Sequence, residues 1–215
     1  MEIAYSGFDD SIYVTNGLLV VELIDGRIQL GDDTFDEAPE PADVNIAGDP
    51  GERPTYADIE RWALQDEVAR SAGTLITHRI DDDGVVSSDM SLAAHGVTAW
   101  EYVPETDHTV ASPFWLFMTS TGIVYQDGQY VTAPLFVIGY AEAEPFPYWG
   151  TGYPITEAYW STIVVGGIER DILWQCFERR CLTYNPANEP TWQVEAGNVG
   201  QHYYTWRYGG PPPQQ

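Results

Sequence analysis

Both cysteines of this chain, Cys176 and Cys181, fall in one short stretch where aromatic and β-branched residues flank a charged turn. Residues 171–186 read as a β-hairpin, with Glu178-Arg179-Arg180 at the turn and Asn185-Pro186 as the stop. Such a hairpin lets the two cysteines face each other, close enough for a disulfide if they form a non-hydrogen-bonded pair. Two free buried thiols are the alternative. A disulfide implies an oxidising, extracellular setting.

The pattern recurs. Residues 19–32 read as a hairpin turning at Asp25-Gly26, and residues 23–32 lie over residues 176–185 without a gap. A third hairpin is expected at residues 124–131, around Asp127-Gly128. The repetition predicts a β-dominated α+β fold: repeated short antiparallel hairpins with two or three short helices.

The rest of the chain fills in that outline. Residues 3–5 and 11–14 alternate as strands, and residues 36–55, rich in Pro, Gly and acid, read as a linker or long surface loop. Thr55-Tyr56-Ala57-Asp58 resembles a capping box opening a helix over residues 56–69, with Ile59, Trp62, Ala63 and Val68 as its apolar stripe. Short strands flank the acidic turn at residues 81–84, a helical turn is expected at residues 91–97, and Pro113 at a first helical position predicts a helix over residues 112–118. A short helix is expected after Pro154. At the end, alternation in residues 203–208 sets Tyr204, Trp206 and Tyr208 on one face of a strand. The chain thus divides into an N-terminal hairpin region with its acidic linker (1–50), an α+β repeat module (51–208) and an extended Pro/Gln tail (209–215).

Charge narrows the partners. A net charge of −24, with nine arginines and no lysine, repels nucleic-acid backbones and anionic lipid surfaces. No apolar run reaches the roughly 18 residues of a membrane-spanning helix. Neither nucleic acid nor membrane insertion is expected.

Candidate chemistry is sparse. No nucleophile elbow occurs, and His78, His95, His108 and His202 are scattered. Asp81, Asp83 and Asp89, with Gly84 between, offer the oxygen ligands calcium prefers, but the closing Glu of an EF-hand loop is missing, and a plain acidic turn is the alternative. No other cofactor is implied. Glycoside hydrolysis needs two carboxylates about 5–10 Å apart; Glu157 and Glu178 are the pair to consider. Their structural alternatives are a helix N-terminus for Glu157 and pairing with Arg170, Arg179 or Arg180 for Glu178. The aromatic crowding of Tyr148, Trp149, Tyr153 and Trp160 around Glu157 suits the faces and hydroxyls of sugars, and equally a core.

Gly152-Tyr153-Pro154-Ile155-Thr156-Glu157, followed by residues 177–186, resembles a module of uncharacterised secreted bacterial repeat proteins. More distantly, it is similar to the LGFP repeats of cell-wall proteins. The likeness spans about residues 108–200, with a partial copy at 17–50 that lacks the Gly-Tyr-Pro part; Arg179-Arg180 stands where the LGFP pattern has Gly. The resemblance implies attachment to a cell wall rather than catalysis. The function expected is a secreted, non-enzymatic module at the cell surface or outside it, binding cell-wall or extracellular polysaccharide through Tyr148, Trp149, Tyr153, Glu157 and Trp160. Alternatives are a structural protein that assembles with its own copies through hairpin edges, and an acid-pair glycoside hydrolase.

Overall fold

The computed structural model describes residues 2–5, 12–15, 17–31, 34–37, 40–126, 128–136 and 147–213. The chain opens with a hairpin of β1 (Glu2–Tyr5) and β2 (Ile12–Thr15). α1 (Leu19–Asp25) follows, then a second hairpin of β3 (Arg27–Gly31) and β4 (Thr34–Glu37). α2 (Tyr56–Arg61) precedes the hairpin of β5 (His78–Ile80) and β6 (Val86–Ser88). β7 (Ala99–Val103) pairs with β8 (His108–Ala111), which runs straight into α3 (Ser112–Met118). β9 (Thr121–Gln126) and β10 (Gln129–Pro134) form another hairpin. The last third is a meander of β11 (Tyr159–Val165), β12 (Ile168–Cys176), β13 (Cys181–Tyr184) and β14 (Val194–Ala196), closed by α4 (Val199–Tyr208). Strand at 35% against helix at 23% makes the fold β-dominated α+β, as expected.

One six-stranded sheet, in the order β14-β13-β12-β11-β5-β6, organises the molecule. Only the β11–β5 contact is parallel. Side chains alternate across a strand, and here both faces are covered. One face carries Tyr159, Ile163, Ile172 and Trp174 against Val20, Leu23 and Ile24 of α1, Tyr56 and Ile59 of α2, and Val199 of α4. The other carries Trp160, Leu173, Phe177 and Leu182 against Val103, Val110, Phe114 and Met118 of the β7–β8 hairpin and α3. The two central indoles are fully buried with their N–H groups satisfied: Trp160 donates to the Ile76 carbonyl at 2.8 Å and Trp174 to Ser161 Oγ at 3.0 Å.

The C-terminal hairpin forms in the expected register, Cys176 opposite Cys181, and the two are joined by a buried disulfide. The hairpin around Asp127-Gly128 also forms, with Gln126 opposite Gln129. Ser11, Asp32, Asp127, residues 144–146 and residues 214–215 lie outside the described residues. The capping box is present: Thr55 Oγ1 accepts from Asp58 N–H at 3.2 Å, and an Asp58 carboxyl oxygen accepts from Thr55 N–H at 2.9 Å.

Other expectations need correction. Residues 19–25 are helical, so residues 19–32 do not repeat the C-terminal hairpin. Val20, Leu23 and Ile24, spaced i, i+3, i+4, all face the core. Gly26, at φ +68°, is the left-handed helix stop, not a hairpin turn. Of the two readings of the acidic stretch, the described residues 40–54 form a long loop rather than a free linker, anchored by Ala42 and Ile46, which are buried with the first cluster. α2 ends at Arg61 because Ala63 takes a left-handed φ of 53°, and Val68 is exposed. No helix follows Pro154; the backbone there pairs with the C-terminal hairpin, Ile155 N–H donating to the Cys176 carbonyl at 2.9 Å. Residues 203–208 belong to α4, where Tyr203 and Trp206, three apart, pack onto the first cluster.

Candidate functional site

The aromatic stretch splits between core and surface. Trp160 is fully buried, and Glu157 is 1% exposed. Neither presents a face to a ligand. Glu157 Oε1 accepts from Thr109 N–H at 2.8 Å, and Oε2 accepts from Arg70 Nη1 at 3.2 Å. His108, itself buried, places Nδ1 3.4 Å from Glu157 Oε1 without a hydrogen bond. A carboxylate, an imidazole and a guanidinium so placed resemble a catalytic cluster, but side-chain exposures of 3% and 1% at His108 and Glu157 leave no surface for a substrate. Glu157 joins the segment at Arg70, β8 and the start of β11. That removes it from a hydrolytic pair with Glu178.

Of the other three positions, Tyr148 is buried in the second core cluster at 9% exposure, while Trp149 and Tyr153 are half-buried. Tyr148 lies 5.0 Å from Tyr153 and 6.1 Å from Trp115 of α3, ring centre to ring centre, with half-buried Trp149 on the same turn. This turn closes through Gly152 N–H to the Tyr148 carbonyl at 2.7 Å and is pinned to the β12–β13 turn. Arg179 N–H donates to Thr151 O at 2.9 Å, Glu178 N–H to Tyr153 O at 3.0 Å, and Arg179 Nη1 to the Trp149 and Tyr148 carbonyls at 2.9 and 3.2 Å. Glu178 in turn accepts from Tyr153 N–H at 3.1 Å. Gly152 is required at this joint: its φ is +75°, and a Cβ would sit 2.6 Å from Glu178 Cβ.

Carboxylates ring the patch. Burial pushes the Tyr148 phenol up, and Glu101 and Glu105 push it further. Burial also raises Tyr153, with Glu105 and Glu178 adding to it. On either side of Glu101, Trp100 and Tyr102 of β7 remain 53% and 50% exposed. The sequence reading missed Trp100, Tyr102 and Trp115. Trp100 sits where the β7–β8 register shifts, and a bulge re-aims a side chain in a way alternation cannot anticipate.

The acidic turn is structural. Asp81 Oδ1 accepts from Asp83 and Val85 N–H at 3.0 and 2.9 Å. Asp89 caps the helical turn at Met90–His95 through Ser91 and pairs with Arg79 at 3.3 Å. Asp81 and Asp83 border a cleft of about 490 Å³ that Asp89 does not reach. Among the described residues no three acidic, histidine or cysteine side chains converge on a metal position. Nor is any described helix long and apolar enough to cross a membrane.

Comparison with protein-family models, curated proteins and solved structures gives no match.

Proposed function

We propose that this chain is a secreted, non-enzymatic module that holds an extracellular or cell-wall polysaccharide against the half-exposed rings of Trp115, Trp149 and Tyr153, which border the buried ring of Tyr148. The observation that carries this reading is the immobilised 148–152 turn, which holds Trp115 and Tyr153 on either side of Tyr148, beside Glu101, Glu105 and Glu178, with Trp149 on the same turn. Aromatic faces offer apolar contact to the C–H face of a sugar, and flanking carboxylates accept hydrogen bonds from its hydroxyls. Holding the rings before the ligand arrives lowers the ordering cost of binding. A buried disulfide suits an oxidising compartment, and the resemblance of residues 152–186 to wall-attached repeats points the same way.

Co-sedimentation with insoluble cell-wall preparations and neutral glycans tests the proposal. Trp149→Ala with Tyr153→Ala is expected to abolish retention while keeping the native circular dichroism spectrum, although the loss of Tyr153 packing lowers the unfolding midpoint. If the parent is not retained by any polymer, or the double variant is retained equally, the patch has no such role.

A second reading, self-assembly, draws on the β9–β10 hairpin. Ile123, Tyr125 and Tyr130 on this two-stranded sheet are 76%, 68% and 78% exposed, and an open strand edge is a template for another chain. Sedimentation velocity decides it: a monomer at every concentration sinks this reading and leaves the first untouched.

A further inference from the structure

β9 and β10 form a two-stranded sheet of their own, and a lone hairpin is marginal in water unless something packs against it. Its base is anchored: Leu135 N–H donates to the Ser120 carbonyl at 3.0 Å, and the Phe117 ring of α3 lies 4.7 Å from that of Phe136. Residues opposite one another across the strands share a face, and successive residues change face. The register Thr121↔Pro134, Ile123↔Thr132 and Tyr125↔Tyr130 therefore defines one face, and Gly122, Val124, Val131 and Ala133 belong to the other. The second face is partly covered: Val124 and Ala133 are half-buried, Val131 is 37% exposed, and a Cβ on Gly122 would come within 2.7 Å of the Leu135 side chain. The first face is bare. All six of its residues are exposed, with the two tyrosine rings edge to face at 5.2 Å.

Charge decides what can cover it. Between His108 and Glu142 the sequence holds one charged residue, Asp127, in a chain of net charge −24. Like charges brought together oppose association, so a second copy meets least repulsion where acids are absent. A partner recognised by charge finds nothing on this face to pair with. The face also matches itself. A twofold axis through the Ile123–Thr132 rung sets each tyrosine pair against the Thr121–Pro134 rung of the other copy, ring against proline, with Ile123 beside its own equivalent. An aromatic side chain buries roughly 150–250 Å², so two such rings with Ile123 and the three smaller residues amount to roughly 500 Å² per copy. The pair would bury about 1,000 Å², where specific interfaces begin.

We propose that this face of the β9–β10 hairpin is the contact of a twofold dimer of the chain, the two hairpins packing face to face. The inference rests on the self-assembly reading and narrows it, from a strand edge, which propagates, to a face, which closes at two copies. It shares no residue with the aromatic patch of Trp115, Trp149 and Tyr153.

Sedimentation velocity of the full chain over micromolar to millimolar concentrations tests this. A monomer–dimer equilibrium with a micromolar Kd is expected, tightening as sodium chloride is raised, because salt screens the repulsion between two acidic copies. Ile123→Glu sets two carboxylates at the axis and is expected to weaken the dimer by about tenfold or more. Tyr130→Ser, which removes a ring without adding charge, is expected to weaken it as well. Val131→Glu, on the other face, should dimerise as the parent does. All three positions are exposed, so each variant should keep the parent's circular dichroism spectrum. A chain that stays monomeric at every concentration overturns the face and the self-assembly reading together, and retention of that monomer on phosphatidylcholine vesicles would assign the face to lipid instead. Association that survives both Ile123→Glu and Tyr130→Ser, that is lost equally in Val131→Glu, or that grows past two copies overturns the face alone and leaves assembly to the strand edges. A dimer that weakens as salt is raised also overturns it, since charge pairs would then hold the copies.

Discussion

At 1% exposure, Glu157 is bonded to the Thr109 N–H and the Arg70 guanidinium, and Arg70 is itself only 10% exposed. Removing one member of a buried pair leaves the other charge uncompensated, which costs about 3–5 kcal/mol. Glu157→Gln keeps the shape and an acceptor for Thr109, so the loss isolates the charge. Urea denaturation followed by tryptophan fluorescence is expected to show a drop of that size; a change under about 1 kcal/mol would fit an exposed pair instead. His202 makes a second residue-level case. Burial holds its pKa below the ordinary 6.5. Above that pH neither folded nor unfolded chain binds the proton. As pH falls through 6.5 the unfolded chain takes it first, so stability declines until the folded pKa is passed. His78, lowered by burial and by Arg70, acts in the same direction. Stability measured from pH 8 to pH 5 should therefore fall toward acid, and more shallowly in His202→Gln; parallel profiles would refute the role of His202.

The elements differ in how openly the sequence declares them. The β12–β13 and β9–β10 hairpins, the Thr55 capping box and α3 behind Pro113 are fixed by local chemistry, and each forms as read. α1 and α4 are not. Residues 19–25 are rich in β-branched and apolar side chains, and Asp25-Gly26 suits a hairpin turn and a helix stop equally well. What decides is the sheet face that Val20, Leu23 and Ile24 cover, and this comes from strands about 140 residues downstream. The same holds for the site. Trp149 and Tyr153 were legible as rings near acids, but buried Tyr148 and Trp160 were indistinguishable from them; for Trp160 the reason is that the start of β11 is buried on both faces and shows no polar–apolar alternation. The disulfide gives this level its own prediction. A sequence separation of 5 closes a short loop worth about 2 kcal/mol. Cys176→Ala with Cys181→Ala is expected to lose about that much while keeping the native circular dichroism spectrum. Both sulfurs are buried, so thiol titration with mild reductant should detect no free thiol until denaturant is added; ready reduction of the native chain would contradict that burial.

For the molecule as a whole, charge placement matters as much as charge number. Four of the nine arginines pair with carboxylates: Arg53 and Arg61 with buried Asp58, Arg70 with buried Glu157, and Arg79 with Asp89 and Asp171 nearer the surface. The surplus of acid is therefore left to repel itself over the surface. Self-repulsion opposes the compact state, and it is screened as the Debye length falls from about 30 Å at 0.01 M salt to about 8 Å at 0.15 M. The Arg70–Glu157 pair is shielded from that screening by burial. Raising sodium chloride over this range is thus expected to raise the unfolding midpoint, where a protein held by surface ion pairs would lose stability; a falling midpoint would show that the exposed pairs outweigh the repulsion. The same field acts on ligands. If the proposed patch binds a glycan, this field turns acidic polymers away and leaves a neutral one unaffected, so retention on a neutral glycan is expected to be indifferent to salt. Retention that collapses with salt would mean that charge, and not the proposed aromatic contact, accounts for it.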